Sequence, residues 1–219
     1  MTFKAPESLC EQIARYLADR IVRGELKPGE RIQEQKVTQA LNVSRGSVRE
    51  ALLILERRHL IAILPRRGAQ VTELSPHKVR SLCTLMSEMY ILLGNAVAQR
   101  WETAADLKSF LELQKRLEAS EARQDVDAFV DDSFNVMRAA YPFANNPYLQ
   151  ETVENLQPAM SRNYYFALDQ RKASMKDYLE LFAQLLDAVQ NRDLPGVRQV
   201  LSAYGERSCM LVLAAMAAG

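Results

Sequence analysis

The stretch Ser44-Arg45-Gly46-Ser47-Val48-Arg49-Glu50-Ala51-Leu52 constrains the fold more than any other part of the chain. A serine hydroxyl placed just before a helix accepts a backbone N–H of the first turn. Val48, Ala51, Leu52 and Leu55 then follow at three- and four-residue steps, which lines one helical face with apolar side chains. A shorter helix is expected immediately before it, over residues 33–41, with Val37, Ala40 and Leu41 inward and Asn42 as the break. Upstream, Leu9, Ile13, Leu17 and Ile21 mark the stripe of a helix over residues 8–23, stopped by Gly24 and followed by a turn at Lys27-Pro28-Gly29. Two short helices joined by a tight connection, the second carrying Arg45, Ser47 and Arg49 near its start, read as a helix-turn-helix.

The pattern changes after this helix. Residues 61–64 and 69–72 read as two short strands around the turn Pro65-Arg66-Arg67-Gly68, with glycine suited to positive φ at the turn's end. A hairpin in that place is a wing, and this one carries two arginines at its tip. Arginine's planar fork matches a phosphate or the major-groove edge of guanine, and serine hydroxyls at a helix start hold phosphates. The plainer reading is a solvated basic face on a small helical bundle. The order helix, turn, helix, basic-tipped wing favours nucleic acid. Charge agrees: up to Leu74 there are 13 Lys/Arg against 9 Asp/Glu, whereas the remainder has 15 against 18.

From Ser75 onward no stretch reads as a strand. Helices are expected over residues 76–100, 103–122, 125–141, 146–169, 174–191 and 193 to the end, with short links, so the second part reads as a six-helix bundle. No run of about 18 uncharged apolar residues occurs, and the first residues lack the apolar core of a signal peptide, so a cytoplasmic protein with no membrane partner is expected. Cys10, Cys83 and Cys209 are far apart and form no CxxC pair, which points to reduced thiols rather than a disulfide framework or a zinc finger. No nucleophile elbow, phosphate loop or HExxH motif is present, and Asp131 and Asp132, being adjacent on a helix, diverge by about 100°. An enzyme is not expected. His59 lies at the junction of helix and wing, where a structural role is the simpler reading.

The first part of the chain resembles the winged-helix module of GntR-type bacterial transcription regulators. The likeness is carried by Gly24-Glu25-Leu26-Lys27-Pro28-Gly29-Glu30-Arg31 and by Val43-Ser44-Arg45-Gly46-Ser47-Val48-Arg49-Glu50-Ala51-Leu52. The resemblance implies that Ser44, Arg45, Ser47 and Arg49 meet DNA, together with Arg66, Arg67 and Gly68 of the wing tip and Lys36 of the second helix. Gly46 stands where threonine is commoner.

The second part resembles the FCD effector domain of one GntR branch, through its helix order, the Asp131…Phe134 pair, Asn146-Pro147-Tyr148-Leu149 and the turn at Asp193. Many such domains bind a divalent metal through one aspartate and three histidines, and grip a carboxylate ligand with an arginine. Matched position by position, the aspartate falls on Asp131, the histidines on Asn135, Phe182 and Tyr204, the arginine on Met86, and a usual acid on Tyr90. No histidine follows His77, so no metal and no other cofactor is expected. The pocket implied by the resemblance is Met86, Tyr90, Asp131, Asn135, Arg138, Phe182 and Tyr204, more apolar and aromatic than usual. Arg138 has two readings: an ion-pair partner or rim residue, or the receiver of an anionic ligand group.

These readings combine into a mainly α protein. A winged helix-turn-helix with a small β-hairpin occupies residues 1–73, and an all-helical domain for effector binding and dimerisation occupies 76–219. The expected function is that of a homodimeric, ligand-responsive repressor bound to a pseudo-palindromic operator in double-stranded DNA, its effector unidentified. The alternative is a DNA-binding regulator whose helical domain only dimerises and senses no small molecule.

Overall fold

The computed structural model describes residues 7–167, 172 and 174–218. By chain contacts it divides into two compact units, Met1–Ser75 with Glu154–Phe166, and Pro76–Val153 with Ala167–Gly219.

In the first unit, α1 (Leu9–Val22) opens on Ser8, whose hydroxyl accepts the Glu11 N–H at 3.2 Å. It closes at Gly24, whose φ of +72° allows the Glu25 N–H to reach back to the Arg20 carbonyl at 2.9 Å. Next come β1 (Arg31–Ile32), α2 (Glu34–Leu41), α3 (Arg45–Arg57), β2 (Ile61–Leu64) and β3 (Gly68–Val71). The expected hairpin is therefore joined by a third strand. The sheet order is β1-β3-β2, antiparallel throughout, with Arg31 opposite Gln70 and Leu64 opposite Gly68. Ile13, Leu17, Ile21, Val48, Leu52, Leu55, Leu60, Ile61 and Val71 close the core between the helices and the sheet.

His59 ends α3 in the left-handed region at φ +57°. Its N–H bonds to the Glu56 carbonyl, and the next N–H, of Leu60, reaches the Leu55 carbonyl at 3.1 Å. That is a helix-ending motif usually built on glycine, so the histidine has a local structural job.

The second unit is helical: α4 (Pro76–Arg100), α5 (Lys108–Ala122), α6 (Val126–Ala144), the first turns of α7 (Pro147–Phe166), α8 (Met175–Gln190) and α9 (Leu194–Ala218). Chain order alone assigns all of α7 to this bundle, yet Glu154–Phe166 clusters with the first unit. Within that unit Arg162 Nη1 donates to Thr72 Oγ1 at 2.9 Å, and the Arg23 guanidinium lies 5.3 Å from the Tyr165 ring centre. The expected continuation of this helix to residue 169 falls outside the described residues.

Helix α5 begins five residues later than the sequence suggests. Asp106 Oδ2 accepts the N–H groups of Glu102 and Thr103 at 2.9 and 2.8 Å, which forms a turn ahead of the helix. These bonds hold its carboxyl below the usual carboxylate range. Two arginines seal helix ends. Arg100 Nη1 donates to the Phe143 and Ala144 carbonyls at the end of α6, and Arg192 reaches the Ala98, Gln99 and Trp101 carbonyls at the end of α4. Free carbonyls at a helix C-terminus favour a cation there.

Helices α4 and α9 are each long and apolar enough to cross a membrane by length and composition. The expectation that no such stretch exists held only for uncharged runs. Within this unit the two pack antiparallel. A side chain at Gly94 would come within 2.9 Å of Val197 and Leu201, and one at Gly205 within 2.7 Å of Ser87 Oγ.

Candidate nucleic-acid interface and interior cavity

Helix α3 owes its position to its apolar stripe. Val48, Ala51, Leu52 and Leu55 are buried, which turns Arg45, Gly46, Arg49 and Glu50 to solvent. Ser44 caps it: Oγ accepts the Ser47 N–H at 3.0 Å, and the two hydroxyls lie 2.9 Å apart. The capping hydroxyl and the basic side chains of the first turns are thus offered together, on the end of the helix where backbone N–H groups favour an anion.

Arg49 is not loose. Its Nε donates to Glu34 Oε2 at 3.0 Å, from α3 back to the first turn of α2. Glu50 closes a contact between helices, since the Cys10 thiol of α1 donates to its carboxylate at 3.0 Å. That hydrogen bond, with the nearby negative charge, pushes the Cys10 thiol above its ordinary value. Lys36 is exposed on α2.

At the wing tip Pro65, Arg66 and Arg67 are exposed, and two positions adopt positive φ, Gly68 at +78° and Arg66 at +62°. The second is unexpected for a residue with a Cβ, and it throws the arginine off the line of the strand. Sequence reasoning also passed over Arg31. It lies on β1, and its guanidinium is 3.6 Å from where a Gly68 side chain would begin. The signal was present, since Arg31 closes the first of the two motifs. Recognising it required knowing that two residues there form a strand.

In the second unit, the expected pocket residues separate into two groups. Met86, Tyr90, Phe182 and Tyr204 are buried. Tyr178 packs edge-on to Tyr204 with ring centres 5.3 Å apart and lies 6.3 Å from Phe182. Burial pushes the Tyr90 hydroxyl well above its ordinary value. Tyr90 and Phe182 line a cavity of about 30 Å³ with Met137, and Tyr204 lines another of about 20 Å³.

Asp131 and Arg138 do not face this interior; both are exposed. Their seven-residue spacing does place them on one helical face, but the face is the outer one. The inner face is set by Phe129, Val130, Ser133, Phe134, Val136 and Ala140, all buried. Asn135, between the faces, accepts from Arg138 Nη1 at 2.8 Å and donates to Asp132 at 3.1 Å. The carboxylate that does turn inward is Asp132, which the sequence reading missed. It is gripped by Arg116 through Nη2 at 2.6 Å and Nε at 3.1 Å.

The metal implied by the family resemblance does not fit these residues. Asp131 points outward, Asn135 is engaged by two neighbours, and Phe182 and Tyr204 belong to the aromatic cluster. Among the described residues, no three of His, Cys, Asp or Glu are gathered as a metal would require.

Two family models match the chain. "Bacterial regulatory proteins, gntR family" covers residues 9–71, and "FCD domain" covers residues 86–207. Among curated proteins, the HTH-type transcriptional regulator McbR of Escherichia coli (strain K12) is 26% identical over 196 residues, 89% of this chain and 88% of that one. The HTH-type transcriptional repressor RspR of the same organism is 29% identical over 202 residues, 89% and 84% of the respective chains. The solved structure of E. coli McbR/YncC superposes with a TM-score of 0.80 at 23% identity, over 95% of this chain and 98% of the other.

Proposed function

The chain belongs to the GntR family of bacterial regulatory proteins, with an FCD domain as its C-terminal part, and from that premise we propose that it acts as a homodimeric repressor of a pseudo-palindromic operator. It is a DNA-binding transcriptional regulator and not an enzyme. Its place of work is then the bacterial cytoplasm, where its operator lies.

The observation that carries the reading is the exposed row on α3, Arg45 and Arg49 beside the Ser44 cap, in one unit with an exposed wing tip of Arg66 and Arg67. In this reading α3 enters the major groove, where Arg45 and Arg49 read base edges, while Ser44, Ser47 and Lys36 hold phosphates. Arg66 and Arg67 contact the backbone beside the groove, and Gly68 gives that contact its close approach. A symmetric site calls for a symmetric dimer. Leu85 and Leu92, two turns apart on α4 and about half exposed, are apolar surface of the kind a second copy covers.

A second reading, that the helical domain dimerises and senses nothing, has its own support. The two interior cavities lined by the expected pocket residues Tyr90, Phe182 and Tyr204, about 30 and 20 Å³, hold no more than one or two waters, whereas small-molecule sites usually span roughly 300–1,000 Å³. The experiment is selection of bound duplexes from random sequence, followed by titration of the selected operator with metabolite pools. Recovery of an inverted repeat bound by two chains supports the dimeric regulator. A binding isotherm that no pool shifts supports the second reading of the helical domain.

A further inference from the structure

Cys83 and Cys209 are 126 positions apart in the sequence, and the fold brings them to one groove. The antiparallel register of α4 and α9 is marked at two levels. Gly94 faces Val197 and Leu201, and Ser87 faces Gly205 while its hydroxyl donates to the Leu201 carbonyl at 3.4 Å. One helical turn back from Ser87 is Cys83, and one turn on from Gly205 is Cys209. The register therefore sets the two cysteines opposite each other, one turn from a place where a glycine lets the helices approach closely. Both line a single groove of about 470 Å³, along with Arg80, Ser87 and Gly205. Cys83 is buried and Cys209 half-buried, and neither is in a disulfide.

We propose that this pair is a hydroperoxide-responsive dithiol, in which Cys209 is oxidised from the groove and Cys83 resolves it to a disulfide joining α4 to α9. The Cys209 thiolate attacks the nearer peroxide oxygen and breaks the O–O bond. Sulfur gains a hydroxyl as a sulfenic acid, and the peroxide leaves as water or an alcohol after taking up a proton. The Cys83 sulfur then attacks the sulfenic sulfur, and the displaced hydroxide leaves as water with the Cys83 proton. Two thiols lose two electrons and one peroxide gains them.

The surroundings suit this order of events. Half-burial gives Cys209 access to a small oxidant, while buried Cys83 meets no oxidant directly. The charged groups lining the groove are Arg80, Glu88 and Glu206. Glu88 is neutralised by Arg198 at 3.2 Å through both oxygens, and Glu206 is the one opposing charge. A disulfide requires Cα atoms roughly 4.4–6.8 Å apart, which the crosslink itself reports. Cys10 lies in the other unit with its thiol bonded to Glu50 and takes no part.

The test treats the purified full chain with a small molar excess of hydrogen peroxide, blocks remaining thiols with iodoacetamide, and maps non-reduced peptides by mass spectrometry. The expected product links the Cys83 and Cys209 peptides within one chain, leaves Cys10 alkylated, and raises the melting temperature by several degrees. Cys209→Ser should abolish both the crosslink and the thermal shift. Cys83→Ala should instead leave a dimedone-reactive sulfenic acid at Cys209. The proposal is overturned if all three thiols remain alkylatable, or if the crosslinks join two chains or include Cys10. Because the readout uses no DNA, its failure is distinct from failure of the operator-binding reading.

Discussion

Glu34 Oε2 accepts a hydrogen bond from Arg49 Nε at 3.0 Å, so an acid on α2 aims an arginine presented by α3. The arginine side chain is 69% exposed and the glutamate 36%. A pair this open adds little to stability. Its effect lies in geometry: with Nε engaged, the terminal fork is left free and oriented. Glu34→Ala should therefore leave the melting temperature nearly unchanged while lowering the ratio of operator to random-duplex affinity, on the order of tenfold if Arg49 reads a base. Arg49→Ala should lower that ratio too, and the double variant should be no worse than Arg49→Ala alone. Additive losses would show that Glu34 acts elsewhere.

Arg45 has no such ion-pair partner among the described residues, is exposed, and occupies the first helical position. Arg45→Ala is expected to cost roughly 1–3 kcal/mol of operator affinity and to relax preference at particular base pairs. Binding of the selected operator as tightly as wild type would remove α3 from the groove.

The wing separates binding from stability within one residue. Arg66 holds φ at +62°, which costs a residue with a Cβ roughly 1 kcal/mol. Arg66→Gly relieves that strain and removes the charge. The variant should melt at the same temperature or higher, yet bind DNA more weakly, with a salt dependence lower by about one ion. Unchanged salt dependence would mean that the arginine meets no phosphate.

The helix-turn-helix was legible because it is written in local terms: a capping serine, apolar side chains at helical spacing, and breaks at Gly24 and Asn42. What escaped was non-local. Strand β1 is two residues long and exists only because Arg31 and Ile32 find distant partners in Gln70 and Ala69. The Glu34–Arg49 pair crosses fifteen residues between helices. Asp131 and Arg138 illustrate another kind of limit. Their common face was legible from the spacing, but it is the outer one, because Phe129, Val130 and Phe134 occupy the interior; this agrees with Arg138 as a rim residue and not with Asp131 as part of an inner pocket. Burial of Asp132 depends on Arg116 reaching it from α5, which no spacing within α6 reveals.

That same pair predicts unequal variants. The Asp132 side chain is 4% exposed and the Arg116 side chain 64%. Arg116→Ala leaves a buried carboxylate without its counter-charge and should destabilise the protein by on the order of 2–3 kcal/mol. Asp132→Asn removes the buried charge and leaves an arginine that can turn to water, so its cost should be clearly smaller. Urea unfolding of both variants measures the difference, and equal losses would contradict the asymmetry.

Arg162 inverts this logic, because its charge is buried and no acid among the described residues pairs with it. The residue is 5% exposed, Nη1 donates to Thr72 Oγ1 at 2.9 Å, and buried Nη2 has no hydrogen-bond partner among the described residues. Burial holds its guanidinium below the usual value, so the charged form is penalised throughout the neutral range. An unpaired buried cation destabilises a fold, whereas an apolar side chain of similar length fills the space without that penalty. Thr72 does not depend on the arginine, since the single proton of its hydroxyl has the His59 and Leu60 carbonyls, 3.0 and 3.1 Å away, as acceptors. Arg162→Met should accordingly fold and melt at or above the wild-type temperature. Arg162→Ala should melt lower, because it removes the packing along with the charge. If Arg162→Met unfolds the protein, the Thr72 bond outweighs the desolvation penalty. In that case α7 depends on it for its attachment to the end of the wing.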